Sequence, residues 1–529
     1  MISANVSCRC RRLLSGLLAL TVIVTACTTG RSGNGPPTPG TTHGTSAPSP
    51  SGGVSRPIQF TDCSSLLGLS AANIPNGRTG RLEFGCGRVP VPLDYGQPTG
   101  QMIDIGLIRV HDSGQTQRIG SLIMDPGGPG DSGILFAIQF AGSVSDDLLQ
   151  HFDLIGFDPR GVGVSAPVRC TTDAQEDALL ALSVDVRAQA GLAAAKQANA
   201  AVSAQCNAKY GKTLEHFNTV ETAQDMDLIR QGLGDTKINY LGFSYGTELG
   251  AVYAHLYPAH IRVMALDGAV DPGVSGDAIR FNELQVAGFE SAFDQFAADC
   301  AKRRACAALG NARAAVQALR QEADRSPIRS SVPGDRRRAT GGIVLYAVLQ
   351  ALYSQSEWPS LGTALLQAQH GDAKGLFELV DDYSQRSSNG EFSNLLDVYG
   401  VVTCNDQRTD PSDAQVQATA RIWARKYPLF GVWFAASLVQ CQSWQSRRHP
   451  VPAETAVGSP PILVIGNLHD PATPYQGAVN LARSLTTGVL LSWDGEGHTS
   501  YGSSACVDQK VNAYLINRTA PSSSTTCPR

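Results

Sequence analysis

Short metal-ligand spacings are missing from this chain of 529 residues: it holds no C-x-x-C pair and no His-rich cluster. The usual pattern of a zinc site is therefore absent, and no metal or cofactor is expected. No run of lysine and arginine interleaved with aromatics occurs either, which argues against nucleic acid as a partner. The formal net charge is only -4, so charge guides little else. No internal repeat is visible. What is present is 42% hydrophobic and 17% charged residues, enough for a packed core and unlike general disorder. The length suits one elaborated domain or two.

The N-terminal residues are informative. Arg9, Arg11 and Arg12 precede an apolar stretch, Leu13 to Val24, too short and wrongly flanked for an ordinary membrane-spanning helix. Small residues then lead to Cys27, a pattern like a bacterial lipoprotein signal, in which that cysteine is acylated. A plain secretory signal with an incidental cysteine is the alternative. Both predict export from the cytoplasm, the first to the bacterial cell envelope with a lipid anchor at the outer face of the cell membrane, the second as a secreted protein. Residues 28–56 are rich in Gly, Pro, Ser and Thr, as a flexible tether would be.

Of 13 cysteines, Cys8, Cys10 and Cys27 fall in the signal segment, leaving an even set of ten. In an exported chain these read as disulfides. Pairing in order along the chain is the expectation, although sequence alone leaves connectivity open.

From about residue 80, short β-rich runs alternate with helical patterns. Expected strands are 102–110, 121–124, 152–157, 238–242, 263–266, 462–466 and 489–493, several of them continuous apolar runs suited to a parallel sheet covered on both faces. Helical patterns such as 222–233 and 249–257 lie between them, giving an α/β doubly wound fold. Residues 275–440 break the alternation and read as amphipathic helices, for example 312–323, 342–353 and 361–369. The expected organisation is a signal at 1–27, a linker at 28–56, an α/β core at 57–274 and 441–529, and a helical cap at 275–440.

Within that frame the apolar run Ile238–Leu241 leads into Gly242-Phe243-Ser244-Tyr245-Gly246, followed by helix-competent sequence. A serine hydroxyl is a weak nucleophile until it is presented to a base. A sharp strand-to-helix turn exposes it, and glycines at both sides let the backbone pass closely. The alternative is an ordinary βα turn with a buried serine. The α/β-hydrolase order is Ser, acid, His. His498 follows a strong β run on a Gly-rich loop, whereas His255 and His260 fall in a helix and its exit. Asp470, after the strand at 462–466, is the expected acid, with Asp267 in a turn-like Asp-Gly as its rival. The loop Asp125-Pro126-Gly127-Gly128-Pro129-Gly130 follows an earlier strand, where the second oxyanion donor belongs. Gly128 is the first choice with Gly127 beside it, and the Tyr245 amide is the other donor. Three decoys, at 130–133, 161–166 and 211–213, mimic a trypsin-type serine, a dinucleotide loop and a phosphate loop, but each lacks its context.

With these residues in place, the chain resembles the tripeptidyl aminopeptidase-like branch of the prolyl-aminopeptidase family of serine peptidases. The resemblance runs from Cys86-Gly87-Arg88-Val89-Pro90 to about Cys506. It rests on Pro126-Gly127-Gly128-Pro129-Gly130, Phe157-Asp158-Pro159-Arg160-Gly161, the Ser244 pentapeptide, Asp470-Pro471-Ala472-Thr473-Pro474 and Gly497-His498. It implies release of short peptides, often tripeptides, from free N-termini of peptides or proteins. Pro126 stands where prolyl aminopeptidases proper usually carry histidine, which points to the tripeptidyl branch. The resemblance groups Cys404-Asn405-Asp406 and Cys441 with the part carrying Asp470 and His498. It also implies acidic groups that hold the substrate's ammonium, for which Glu283 and Asp406 are candidates. A carboxylesterase or lipase using the same three residues is the competing reading, and an inactive cell-surface binding module the third.

Overall fold

The computed structural model describes residues 56–67, 78, 80–304, 306–523 and 525–529. The signal segment, Cys27 and the linker up to residue 55 lie outside the described residues.

Among the described residues twelve strands occur in chain order: β1 (Thr61–Asp62), β2 (Leu82–Pro92), β3 (Met102–Asp112), β4 (Gly120–Asp125), β5 (Phe152–Phe157), β6 (Ile238–Phe243), β7 (Ile261–Asp267), β8 (Ile328–Arg329), β9 (Arg338–Ala339), β10 (Ile462–His469), β11 (Gly488–Glu496) and β12 (Thr525–Cys527). Ten of them form one sheet in the order β1-β2-β3-β5-β4-β6-β7-β10-β11-β12. β1 to β3 run antiparallel to their neighbours, and every pairing from β5 to β12 is parallel. This is an α/β-hydrolase sheet, as expected.

Alternation within the apolar runs explains why both faces are covered. Ile238 and Tyr240 of β6, with Ile462 and Val464 of β10, join the core on one face. Leu241 and Phe243, with Leu463 and Ile465, join the core on the other. Side chains two apart share a face, so a continuous apolar strand feeds two helical layers.

A third core belongs to the helices between β7 and β10. Its chain also forms the two-residue antiparallel pair of β8 and β9, a small strand ladder inside the expected all-helical insertion. The cap core has a further source that the sequence reading lacked. Leu180, Leu192 and Ala195, from helices Asp173–Leu180 and Gln189–Tyr210 between β5 and β6, pack into it. The cap is thus built from two excursions of the chain. Conversely, Val398, Val401 and Val402 of helix Leu395–Asp406 join the core on the sheet.

Among the described residues five disulfides pair in order along the chain: Cys63–Cys86, Cys170–Cys206, Cys300–Cys306, Cys404–Cys441 and Cys506–Cys527. Among the described residues no helix is long and apolar enough to cross a membrane.

Candidate active site

Ser244 sits between β6 and helix Tyr245–Leu256 with φ 54° and ψ -124°, a conformation L residues rarely adopt. The neighbouring glycines make that turn possible. A Cβ on Gly242 would collide with the Gly246 carbonyl oxygen, and one on Gly246 would stand 2.7 Å from the Asp125 carbonyl oxygen. The Ser244 amide donates to the Asp267 carbonyl at 2.9 Å, fastening the turn to the end of β7.

His498 and Asp470 arrive from the ends of β11 and β10. His498 Nδ1 lies 2.9 Å from both Asp470 carboxylate oxygens. That carboxylate also accepts from the amides of Ala472 (2.9 Å), Thr473 (2.8 Å) and Thr499 (3.1 Å), which fix its direction. Asp470 and His498 are buried. The Asp267 carboxylate instead accepts from the Ser500 and Tyr501 amides and holds the loop after His498, so the rival acid is a buckle. Burial pushes Asp267 up to about 7.

Ser244 and His498 line one cavity of about 450 Å³, a size usual for small-molecule sites. No hydrogen bond joins them in this structure: His498 Nε2 is buried without a partner. Such bonds are commonly long in empty sites and tighten when substrate binds. The partnerless nitrogen and the half-buried serine on one wall are the reactive pair the cavity offers.

The glycine loop after β4 passes directly over the serine turn. A Cβ on Gly127 (φ 98°) would stand 2.9 Å from the Tyr245 nitrogen and 3.0 Å from Ser244 Cβ. The Gly127 amide is occupied, donating to Asp125 Oδ1 at 2.9 Å. The Gly128 amide has no partner among the described residues, nor has that of Tyr245 at the first helical position, where no intrahelical acceptor exists. Both residues line the cavity that Ser244 lines, so two unpaired amide donors belong to its wall.

The rest of the lining is largely apolar and aromatic, with acids set into it. Asp131, Glu176, Glu248, Asp277, Asp397 and Asp406 line the cavity, and among the described residues no lysine or arginine does. Asp406 accepts from the Thr219 hydroxyl (2.6 Å), which is 2.5 Å from the Tyr245 hydroxyl. Burial holds Asp406 well above the usual carboxylate range. Glu248, one helical turn past Ser244, accepts from the Ser275 hydroxyl and is raised by burial too. Behind it Glu454 is buried and raised, first by desolvation and then by the charge of Glu248. Glu283 is a correction. Its carboxylate pairs with Lys426 at 2.8 Å on the outside of the cap, away from the cavity lining, because the helical face it occupies points to solvent. Glu248 is the acid that the sequence reading missed, although its spacing of four from Ser244 on a helix puts the two on one side.

The decoys have structural roles. Ser132 caps helix Gly133–Ser143 and donates to Asp158 at 2.5 Å, while Ser165 accepts from the Gly106 amide at 2.8 Å.

A serine on a strained strand-to-helix turn at the carboxyl edge of this sheet defines the class, a serine hydrolase of the α/β-hydrolase fold. Residues 427–527 match the family model described as TAP-like protein. The chain is 35% identical over 495 residues to serine protease Hip1 of Mycobacterium tuberculosis H37Rv, covering 90% of this chain and 91% of that one. It is 37% identical over 457 residues to carboxylesterase B of the same organism, covering 84% and 86%. Tripeptidyl aminopeptidase of Streptomyces lividans is 33% identical over 473 residues, covering 84% and 83%. The chain belongs to the tripeptidyl aminopeptidase-like branch of the prolyl-aminopeptidase family of serine peptidases.

Proposed function

We propose that this protein is an exported exopeptidase that releases short peptides, tripeptides among them, from free N-termini. The observation that carries this reading is the cavity wall: six carboxyl groups and no lysine or arginine around Ser244 and His498. An extended peptide presents an ammonium at its N-terminus, and only anionic or acceptor groups offset the cost of burying it. Asp406 and Glu248 hold that ammonium close to the nucleophile. A neutral ester has no use for such a wall.

In the reaction His498 Nε2 takes the Ser244 proton as Oγ bonds to the scissile carbonyl carbon. Asp470 orients the ring and balances the imidazolium. The amides of Gly128 and Tyr245 stabilise the oxyanion. The C–N bond breaks as His498 returns its proton to the leaving amine. Water then attacks the acyl ester, giving a proton to His498, which passes it to Ser244 Oγ as the ester C–O bond breaks and the peptide leaves as a carboxylic acid that ionises. No step calls for a metal or cofactor.

The deciding experiment uses a tripeptide anilide with a free amine and the same compound acetylated. Hydrolysis of the first, and loss of activity on acetylation, is the expected result. Equal rates on both, with faster turnover of acyl esters, would overturn it in favour of a carboxylesterase, a reading favoured by the 37% identity to carboxylesterase B. Ser244→Ala removes about three to six powers of ten in kcat. Absence of any fluorophosphonate labelling in the wild-type protein would leave only the binding-module reading.

Export and anchoring through Cys27 complete the proposal, supported by the N-terminal pattern and the five disulfides. Labelled fatty acid should enter the wild-type protein and not Cys27→Ser.

A further inference from the structure

Two cap helices grip the loops that carry the acid and the base. Helix Ala278–Cys300 lies against the segment that follows Asp470. A Cβ on Gly288 would collide with the Pro471 carbonyl oxygen and stand 3.0 Å from Pro474 Cγ. One turn earlier, Gln285 Nε2 donates to the Ala472 carbonyl at 3.1 Å. Ala472 and Thr473 are also the residues whose amides hold the Asp470 carboxylate. The cap helix and the carboxylate therefore grip the same short turn.

The second contact reaches the histidine. Phe289, next to Gly288, packs against Tyr353 at 5.5 Å between rings. Tyr353 follows helix Gly341–Leu352 and meets the His498 ring edge-on at 5.4 Å and 80°. Its carbonyl accepts from the His498 amide at 2.8 Å, and Ser354 bridges to Gly497.

We infer that Gly288 is a positioning residue: its missing side chain lets the cap dock closely enough to set Asp470 and His498 against Ser244. The cap is accordingly a brace for the reactive groups as well as a wall of the cavity. Gly288 itself does not line the cavity, so replacing it alters no substrate contact. An added methyl meets a backbone oxygen, and no rotamer change relieves that. A displacement of about an ångström at reacting groups costs on the order of a hundredfold in rate.

The inference rests on Ser244, Asp470 and His498 acting together, and not on whether the substrate is a peptide or an ester. Gly288→Ala and Gln285→Ala are compared with wild type for fluorophosphonate labelling rate, for kcat and KM on the free-amine tripeptide anilide and on p-nitrophenyl acetate, and for Tm. Gly288→Ala is expected to lower labelling and kcat by roughly ten- to a hundredfold, with KM within about twofold. Gln285 itself lines the cavity, so Gln285→Ala, which adds no bulk, is read on labelling and on p-nitrophenyl acetate rather than on the peptide, and should lower both about three- to tenfold, the loss of one hydrogen bond. A folded Gly288→Ala with wild-type labelling and kcat would overturn the inference. Should Gly288→Ala fail to fold, an unchanged labelling rate in Gln285→Ala overturns it equally. Failure of the peptide anilide alone, with labelling and acetate hydrolysis responding as expected, counts against the peptidase reading and not against this one.

Discussion

Asp125 ends β4 beneath the glycine loop, with Oδ1 accepting from the Gly127 amide and Oδ2 buried without a partner. Burial pushes its pKa from 3.8 up to about 8. The folded chain thus keeps a proton that the unfolded chain gives up near pH 4. Stability from this group is undiminished below that pH and falls as pH rises toward 8. Asp125→Asn carries no such proton. Its Tm should match wild type near pH 4 and exceed it increasingly up to about pH 8, read by scanning fluorimetry across pH. Glu248 and Asp406 are raised as well. They lose charge as pH falls, so KM for a free-amine peptide should climb on acidification while that for an uncharged ester stays flat. Glu248→Gln should raise the same KM about ten- to a hundredfold, equivalent to one charge-assisted hydrogen bond, with kcat changed far less. At this scale Ser244, Asp470 and His498 could be read because each follows a recognisable strand in the required order. Of the acids of the wall only Asp406 was named, through the family resemblance; the others could not be, since burial and charge balance are properties of the assembled cavity.

Arg160, in the Phe157–Gly161 motif, is an element-scale tie. Its buried guanidinium reaches Asp225 at 2.6 and 2.8 Å, Glu221, and the carbonyls of Pro92, Leu93 and His216. It joins the ends of β2 and β5 to helix Thr219–Gly232. Arg160→Ala leaves two acids buried without their partner and should cost about 3–5 kcal/mol in urea unfolding. Arg160→Lys should recover little, because an ammonium lacks the planar fork. The parallel strands except the short β12 were legible from their apolar runs, β5 to the residue. β2 was not, because Gly85, Gly87, Pro90 and Pro92 interrupt its pattern and its partner runs antiparallel. The first excursion into the cap was hidden for another reason. Helix Gln189–Tyr210 is rich in alanine and carries little apolar patterning to show what it packs on.

At the scale of the molecule, each disulfide closes a short stretch, from 6 to 37 residues apart. The Cys404–Cys441 bridge adjoins Asp406, so it fixes the acidic wall as well as the chain. Replacing both cysteines by alanine should lower stability by up to about 4 kcal/mol on chain-entropy grounds. KM for free-amine peptides should rise more than kcat falls, measured on the folded fraction below its Tm. The alternation of strands and helices made the overall architecture legible, whereas the closing of one cap by two separate segments is a tertiary fact with no local signature.

The cation-free wall bears on how turnover ends. Hydrolysis of the acyl ester creates a fresh carboxylate beside carboxyl groups, with no lysine or arginine among the described lining residues to retain it. Like charges at close range repel, so the cleaved fragment is pushed out by the surroundings that drew in its parent. Accumulated product should therefore inhibit weakly, and the same fragment capped as an amide should bind more tightly than the free acid.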